Sequence, residues 1–117
     1  DDNNNNTNTN RNYYTCGMAF FYIGYDFHRG RFLYLEDLFI EEEYRANGHG
    51  STIMSALALL ATTLGCTGGF VWQALDWNTP ALNFYHKIGA RIEDGLLTTR
   101  FAGDGLQRFL EKREGNL

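Results

Sequence analysis

The chain has 117 residues, enough for one domain but not two. Hydrophobic residues make up 44% and aromatic residues 15%, so a packed core is expected, and a formal net charge of −4 argues against nonspecific nucleic-acid binding. Charge is uneven, with eight acids and three bases in residues 1–44 against six and seven in residues 45–117. That division suits a cationic partner on one side and an anionic one on the other, although ordinary solvated charge accounts for it as well.

Cys16 and Cys66 are the only cysteines, and they form no CxxC. His28, His49 and His86 show no metal spacing with them, so neither a metal site nor a disulfide framework is expected. Reduced thiols fit a cytoplasmic protein. No apolar run approaches the ~18 residues of a membrane span, and no signal peptide opens the chain, so no membrane partner is expected.

In chain order, Asp1–Asn12 is polar and asparagine-rich and reads as a disordered leader, with the folded domain over 13–117. Met18–Tyr25 and Arg31–Ile40 are rich in β-formers. Between them Asp26-Phe27-His28-Arg29-Gly30 reads as a hairpin turn, which predicts two antiparallel strands. Ser51 can cap a helix over Thr52–Leu64 with Ile53, Met54, Leu57 and Leu60 on its apolar face, stopped by Gly65. Gly69–Asp76 is a short apolar run, expected as a buried strand. Asn78 or Thr79 caps a second helix with Pro80 in its first turn, ending at Gly89. Arg91–Phe101 reads as one or two strands and Leu106–Arg113 as a last amphipathic helix. The order β, β, α, β, α, β, (β), α predicts an α/β fold with a mixed sheet.

The stretch Tyr44-Arg45-Ala46-Asn47-Gly48-His49-Gly50-Ser51 lies between a strand and a helix. Closely spaced glycines before a helix expose backbone N–H groups at the positive end of its dipole, an anion site; the bland alternative is a loop whose glycines only serve tight turns. A P-loop requires GxxxxGK[ST], and no lysine precedes Ser51. A dinucleotide fingerprint requires a third glycine near position 53, which is isoleucine.

Two motifs in order around one strand carry a resemblance. Arg45-x-x-Gly48-x-Gly50-Ser51 resembles the acyl-CoA loop of the GNAT acyltransferase superfamily. Asn78-x-x-Ala81-x-x-Phe84-Tyr85-x-x-x-Gly89-Ala90 resembles its later helix. Leu33-Tyr34-Leu35-Glu36-Asp37-Leu38-Phe39-Ile40, Asp76-Trp77-Asn78, Arg100-Phe101-x-Gly103-Asp104-x-Leu106 and Tyr25-Asp26 narrow it to the spermidine/spermine and diamine acetyltransferases. The likeness covers roughly residues 15–110. Two departures stand out. The family's opening strand and two helices, with a further strand, have no counterpart, so the chain reads as an N-terminally truncated member. Leu96-Leu97 also stands where the family often has tryptophan.

The resemblance implies an N-acetyltransferase with acetyl-CoA as donor, a small cationic diamine or polyamine as acceptor, direct transfer in a ternary complex, and a homodimer. A free alkylamine with pKa near 10.4 is neutral in about one molecule in 2,500 at pH 7, a handicap of roughly 4.6 kcal/mol that a carboxylate relieves. Glu36 and Asp37 are adjacent on one strand, so alternation sends them to opposite faces. The resemblance gives the cleft role to Glu36 and makes Asp37 a supporting contact or a surface acid. Asp26 holds a distal ammonium or caps its own turn. The resemblance makes Tyr85 the proton donor to the leaving thiolate, the alternative being a core aromatic, and Asn78, Ala81, Leu82 and Tyr85 share one helical face. Phe84 reads as core.

By the same resemblance the main chain of Leu38, Phe39 and Ile40 holds the acetyl carbonyl and pantetheine arm. Ala46, Asn47, Gly48, His49, Gly50 and Ser51 hold the pyrophosphate, His49 through its backbone. Arg45 pairs with phosphate or ties the loop to Glu41, Glu42 or Glu43. Trp77 and the tyrosines near the hairpin are candidates to pack against an alkylammonium, and all of these aromatics except Trp77 are read as core. Two alternatives stay open: a truncated member that binds acyl-CoA or a partner subunit without turnover, and an acetyltransferase for a lysine-like amino acid or a peptide amine.

Overall fold

The computed structural model describes residues 12–115, so the asparagine-rich leader lies, apart from Asn12, outside the described residues. The chain divides into two compact units, Asp1–Leu75 and Asp76–Leu117.

The first unit holds a three-stranded sheet in the order β1-β2-β3. Strand β1 (Gly17–Asp26) and strand β2 (Gly30–Ile40) pair antiparallel, and β2 pairs parallel with the short β3 (Gly69–Trp72). Helix α1 (His49–Thr63) forms the crossover between the parallel strands, as parallel pairing requires. The mixed sheet expected from the element order is present.

The hairpin turn forms because Asp26 Oδ1 accepts from the backbone N–H groups of His28 at 2.7 Å and Arg29 at 3.1 Å. These two bonds, the His28 one foremost, hold the Asp26 carboxyl below its ordinary pKa of 3.8. Thr67 Oγ1 donates to the Arg29 carbonyl at 2.7 Å, and Arg31 donates to the Leu64 carbonyl at 2.8 Å. The turn is thereby tied to the end of α1.

The core sits between β2 and α1. Leu33 is fully buried, and Leu35, Leu57 and Ala61 are buried beside it, with Ile53, Met54 and Leu60 packed against them. The apolar stripe predicted for α1 is therefore the face that meets the sheet. Burial of one such leucine contributes about 1.5–3 kcal/mol.

The second unit holds α2 (Thr79–Lys87) and α3 (Gly103–Gly115). Asn78 caps α2: its Oδ1 accepts from the Ala81 N–H at 3.4 Å, and Pro80 occupies the first turn.

Several expected elements are corrected. Helix α1 starts at His49 with Gly48 as its N-cap, so Ser51 lies inside the first turn and does not cap it. Strand β3 ends at Trp72, opposite Leu35, and does not reach Asp76. Arg91–Phe101 forms no strand among the described residues; it is exposed throughout and turns at Gly95 with φ 84°. A strand needs a ladder partner for its backbone groups, and alternation alone does not supply one. Helix α3 begins at Gly103, ahead of the predicted Leu106, with Asp104 in its first turn where the helix dipole favours an acid. Phe84 is 46% exposed and is not core.

Candidate active site

The first unit concentrates most of the candidate residues at the C-terminal end of β2 and the start of α1. Strand β2 outruns β3: the parallel pairing stops at Leu35, while β2 continues to Ile40. Along Glu36–Ile40 the β3 side of β2 has no ladder partner among the described residues. On its other side Leu38 pairs with Ala19, Phe39 with Met18 and Ile40 with Gly17. The Glu41 N–H closes the hairpin on the Cys16 carbonyl at 2.7 Å.

A β-bulge lies where this open edge begins. Phe20 pairs with Asp37 and Phe21 with Leu35, which leaves Glu36 as the additional residue on β2. The bulge resets the alternation. Leu33 and Leu35 face the core, and so does Leu38, an interval of three. Glu36 and Asp37 between them are both exposed. Alternation therefore does not send one of these acids to the cleft and the other away. Both stand off the core face. Tyr34 lies two residues before Glu36, and its phenol is raised above the ordinary 10.0 by burial first and by the Glu36 charge second. The interval of three from Leu35 to Leu38 is compatible with a bulge but does not place it, because Phe39 beside Leu38 also fits strict alternation.

The loop between β2 and α1 is braced by its own side chains. Asn47 Nδ2 donates to the carbonyls of Arg45 at 3.1 Å and Tyr44 at 3.3 Å. Ala46 has φ 64°, the only positive φ outside glycine among the described residues, a conformation that costs roughly 1–2 kcal/mol. Arg45 Nε donates to the Ile40 carbonyl at 2.9 Å, and its guanidinium lies 5.6 Å from the centre of the Phe39 ring. None of its described contacts is an ion pair to Glu41, Glu42 or Glu43. The His49 ring meets Tyr44 edge-on at 6.4 Å.

Helix α1 opens with no side-chain cap. Its first internal bond runs from the Thr52 N–H to the Gly48 carbonyl at 3.0 Å. The N–H groups of Gly48, His49, Gly50 and Ser51 are thus left without helical acceptors. Gly48 has φ 80°, which favours glycine for backbone reasons. Gly50 differs: its φ is ordinary, and a Cβ added there would meet nothing within 4 Å. No described neighbour requires a glycine at 50, as none does at Gly105 or Gly115. A bound group lying against the backbone would. Four free amides and an uncrowded glycine fit a diphosphate such as that of acetyl-CoA.

The second unit carries Trp77, Asn78, Ala81 and Tyr85. Asn78, Ala81, Leu82 and Tyr85 are the half-buried positions along this helix, the shared face expected from their spacing. The Asn78 amide oxygen serves the cap, and the Tyr85 ring meets Phe84 edge-on at 6.0 Å. Trp77 is 73% exposed.

Asp26 is not brought to Glu36. It pairs with Gly30 at the turn, six positions before Glu36 on β2, a separation of about 20 Å at strand rise. Its carboxylate takes the turn-capping role that the sequence left open.

Residues 7–90 match the acetyltransferase (GNAT) family. An L-ornithine N5-acetyltransferase from Arabidopsis thaliana is 37% identical, over 80% of this chain and 41% of its own length. A thialysine N-epsilon-acetyltransferase from Sus scrofa is 35% identical, over 82% of this chain and 58% of its own. The chain spans about half the length of the curated relatives it matches. Among solved structures, an integron cassette protein from the mobile metagenome of V. cholerae superposes with TM-score 0.70 at 31% identity, covering 82% of this chain and 59% of that one. The chain belongs to the acetyltransferase (GNAT) family.

Proposed function

We propose that this protein transfers an acetyl group from acetyl-CoA to a terminal primary amine of a small molecule that carries a second ammonium, such as a diamine, polyamine or diamino acid. The observation that carries this reading is the uncapped start of α1, with four free amides at Gly48–Ser51 and an uncrowded Gly50. The names of the two relatives, which specify the side-chain amines of ornithine and thialysine, support the acceptor class.

When bound, acetyl-CoA supplies the thioester that the amine attacks. Gly48–Ser51 hold its pyrophosphate through their N–H groups, Arg45 adds a guanidinium, and the unpaired edge of Leu38–Ile40 holds the pantetheine arm. The Glu36 carboxylate takes the proton of the incoming ammonium, directly or through water, which relieves the roughly 4.6 kcal/mol ionisation handicap. Asp37 adds negative charge beside it. The family resemblance assigns Asn78 and Ala81 to the donor. Tyr85 Oη holds the proton that the departing sulfur takes up; phenol and thiol pKa values, near 10 and 8.5, lie close enough for that exchange. Trp77 packs against the acceptor's alkyl chain. The family resemblance further implies a homodimer, which sedimentation would test.

The experiment is thiol release from acetyl-CoA with a panel of diamines, polyamines and diamino acids, read together with the mass of the acetylated amine. Amine-dependent release is expected. Folded protein that binds acetyl-CoA yet acetylates no amine would replace this reading with that of an acyl-CoA-binding subunit.

A further inference from the structure

The strand aromatics that the sequence assigns to the core divide between two faces of the sheet. Leu33 and Leu35 face α1. Tyr34 between them faces the other way, and so does Tyr22, its direct partner on β1. The two rings lie 5.1 Å apart at a 31° tilt, with Phe32 edge-on to Tyr22 at 6.5 Å. Tyr22 is 46% exposed. Two residues from Tyr34 on the same strand is Glu36. Asp37 lies opposite Phe20, which alternation places on the face of Tyr22. Alternation thus puts Glu36, and the bulge puts Asp37, on the face of the tyrosine pair. No strand position on this face, from Met18 to Gly24 on β1 or Phe32 to Phe39 on β2, is basic. One ring on this face, Phe39, already carries a cation, the Arg45 guanidinium, 5.6 Å from its centre.

We infer that Tyr22 and Tyr34 form an aromatic shelf that binds the second ammonium and adjoining alkyl chain of the acceptor amine, next to Glu36 and Asp37. The inference rests on the acetyltransferase reading and makes these tyrosines specificity residues. A cation over an aromatic face is attracted by the ring quadrupole, more strongly where water is partly excluded, and half-buried Tyr34 offers that setting. Tyr34 and Glu36 are about 7 Å apart along the strand, a spacing matched by the two nitrogens of a short-chain diamine. One nitrogen can then reach the Glu36 carboxylate while the other rests on the rings. An alkylmonoamine uses only the first contact, so the shelf selects for a second charge. The shelf places a second cation contact within reach of Glu36, whereas Asp26 lies about 20 Å along the strand.

The test compares Tyr22→Leu and Tyr34→Leu with Tyr22→Phe and Tyr34→Phe. KM and kcat are measured for 1,4-diaminobutane and for butylamine, with folding followed by circular dichroism. The leucine variants should raise the diamine KM about tenfold while moving the butylamine KM by about twofold or less, and the phenylalanine variants should keep the diamine KM. Equal KM shifts for both amines, or phenylalanine variants that behave as leucine, would overturn the inference. A parallel titration of the wild-type protein reads the ring-proton resonances of Tyr22 and Tyr34 and needs no turnover or variant. 1,4-Diaminobutane should shift both rings, and 1,4-butanediol should not. An absent or equal shift overturns the shelf. Turnover absent with every amine, beside a diamine-specific ring shift, would instead remove the acetyltransferase reading and keep the shelf as a cation site.

Discussion

The Gly48 carbonyl accepts two hydrogen bonds from Thr52, one from its backbone N–H and one from its hydroxyl, each at 3.0 Å. This pair closes the first turn of α1 from within. The helix is anchored without a side chain folding back over its N-terminus, and the amides of Gly48–Ser51 stay open.

The two glycines of that turn should separate fold from function. Gly48→Ala forces an alanine to φ 80° and should cost roughly 1–2 kcal/mol of stability. Gly50→Ala enters open space inside a helix and should stabilise the fold by up to about 0.5–1 kcal/mol. If the pyrophosphate lies against this backbone, Gly50→Ala should nevertheless raise the KM for acetyl-CoA. Thermal melts and acetyl-CoA titrations on the same variant decide it, and a stabilised protein with unchanged KM would remove Gly50 from the cradle.

Asn78 combines a cap with a proposed ligand contact. Asn78→Ala should destabilise α2 by about 0.5–1 kcal/mol, the low end of the capping range because the bond is 3.4 Å long. Asn78→Asp keeps the accepting oxygen and should keep the helix. If Asn78→Asp also keeps the acetyl-CoA KM, the amide nitrogen has no part in binding.

Tyr34 should titrate above the ordinary phenol value of 10.0, raised by burial and then by Glu36. A raised folded-state pKa means its contribution to stability is complete below the unfolded value and is lost as pH climbs through the folded one. Alkaline titration of tyrosinate absorbance should show a late component. Glu36→Gln should move it partway back, and an unmoved component would separate the two side chains.

The Asp26 turn should show the opposite pH sense. Its depressed carboxyl stabilises the hairpin fully above the unfolded value, near 3.8, and that contribution is lost as pH falls through the lower folded value. Denaturant midpoints of wild type and Asp26→Ala should differ at neutral pH and converge well below pH 3.8. A gap that persists in acid would mean the carboxylate charge is not what holds the turn.

Tyr85→Phe should lower turnover about a hundredfold, the lower bound for loss of a general acid, with a much smaller change in acetyl-CoA KM. An unchanged rate would leave Tyr85 as a helix aromatic without a chemical role.

Features set by near neighbours were legible in the chain itself. The stripe Ile53, Met54, Leu57 and Leu60 marks the buried face of α1 because helical periodicity is a local property. The Asp26 turn, the Asn78 cap and Pro80 follow from side chains meeting backbone within three residues. The spaced glycines before α1 and the later Asn-to-Tyr motif identified the family for the same reason.

What depends on a distant partner was not legible. Arg91–Phe101 has a strand-like pattern but no ladder among the described residues, and its backbone stays irregular. Phe84 is apolar but 46% exposed, because burial belongs to whatever packs against a helix and not to the helix. Most consequentially, alternation along β2 sends Glu36 and Asp37 to opposite faces, and pairing with β1 overrules it. The additional residue at Glu36 exists only relative to Phe20 and Phe21. Sequence by itself therefore determined the family, the hairpin turn and the buried face of α1. Tertiary structure decided which carboxylates and rings share a surface, because strand register is a property of two segments and neither contains it alone.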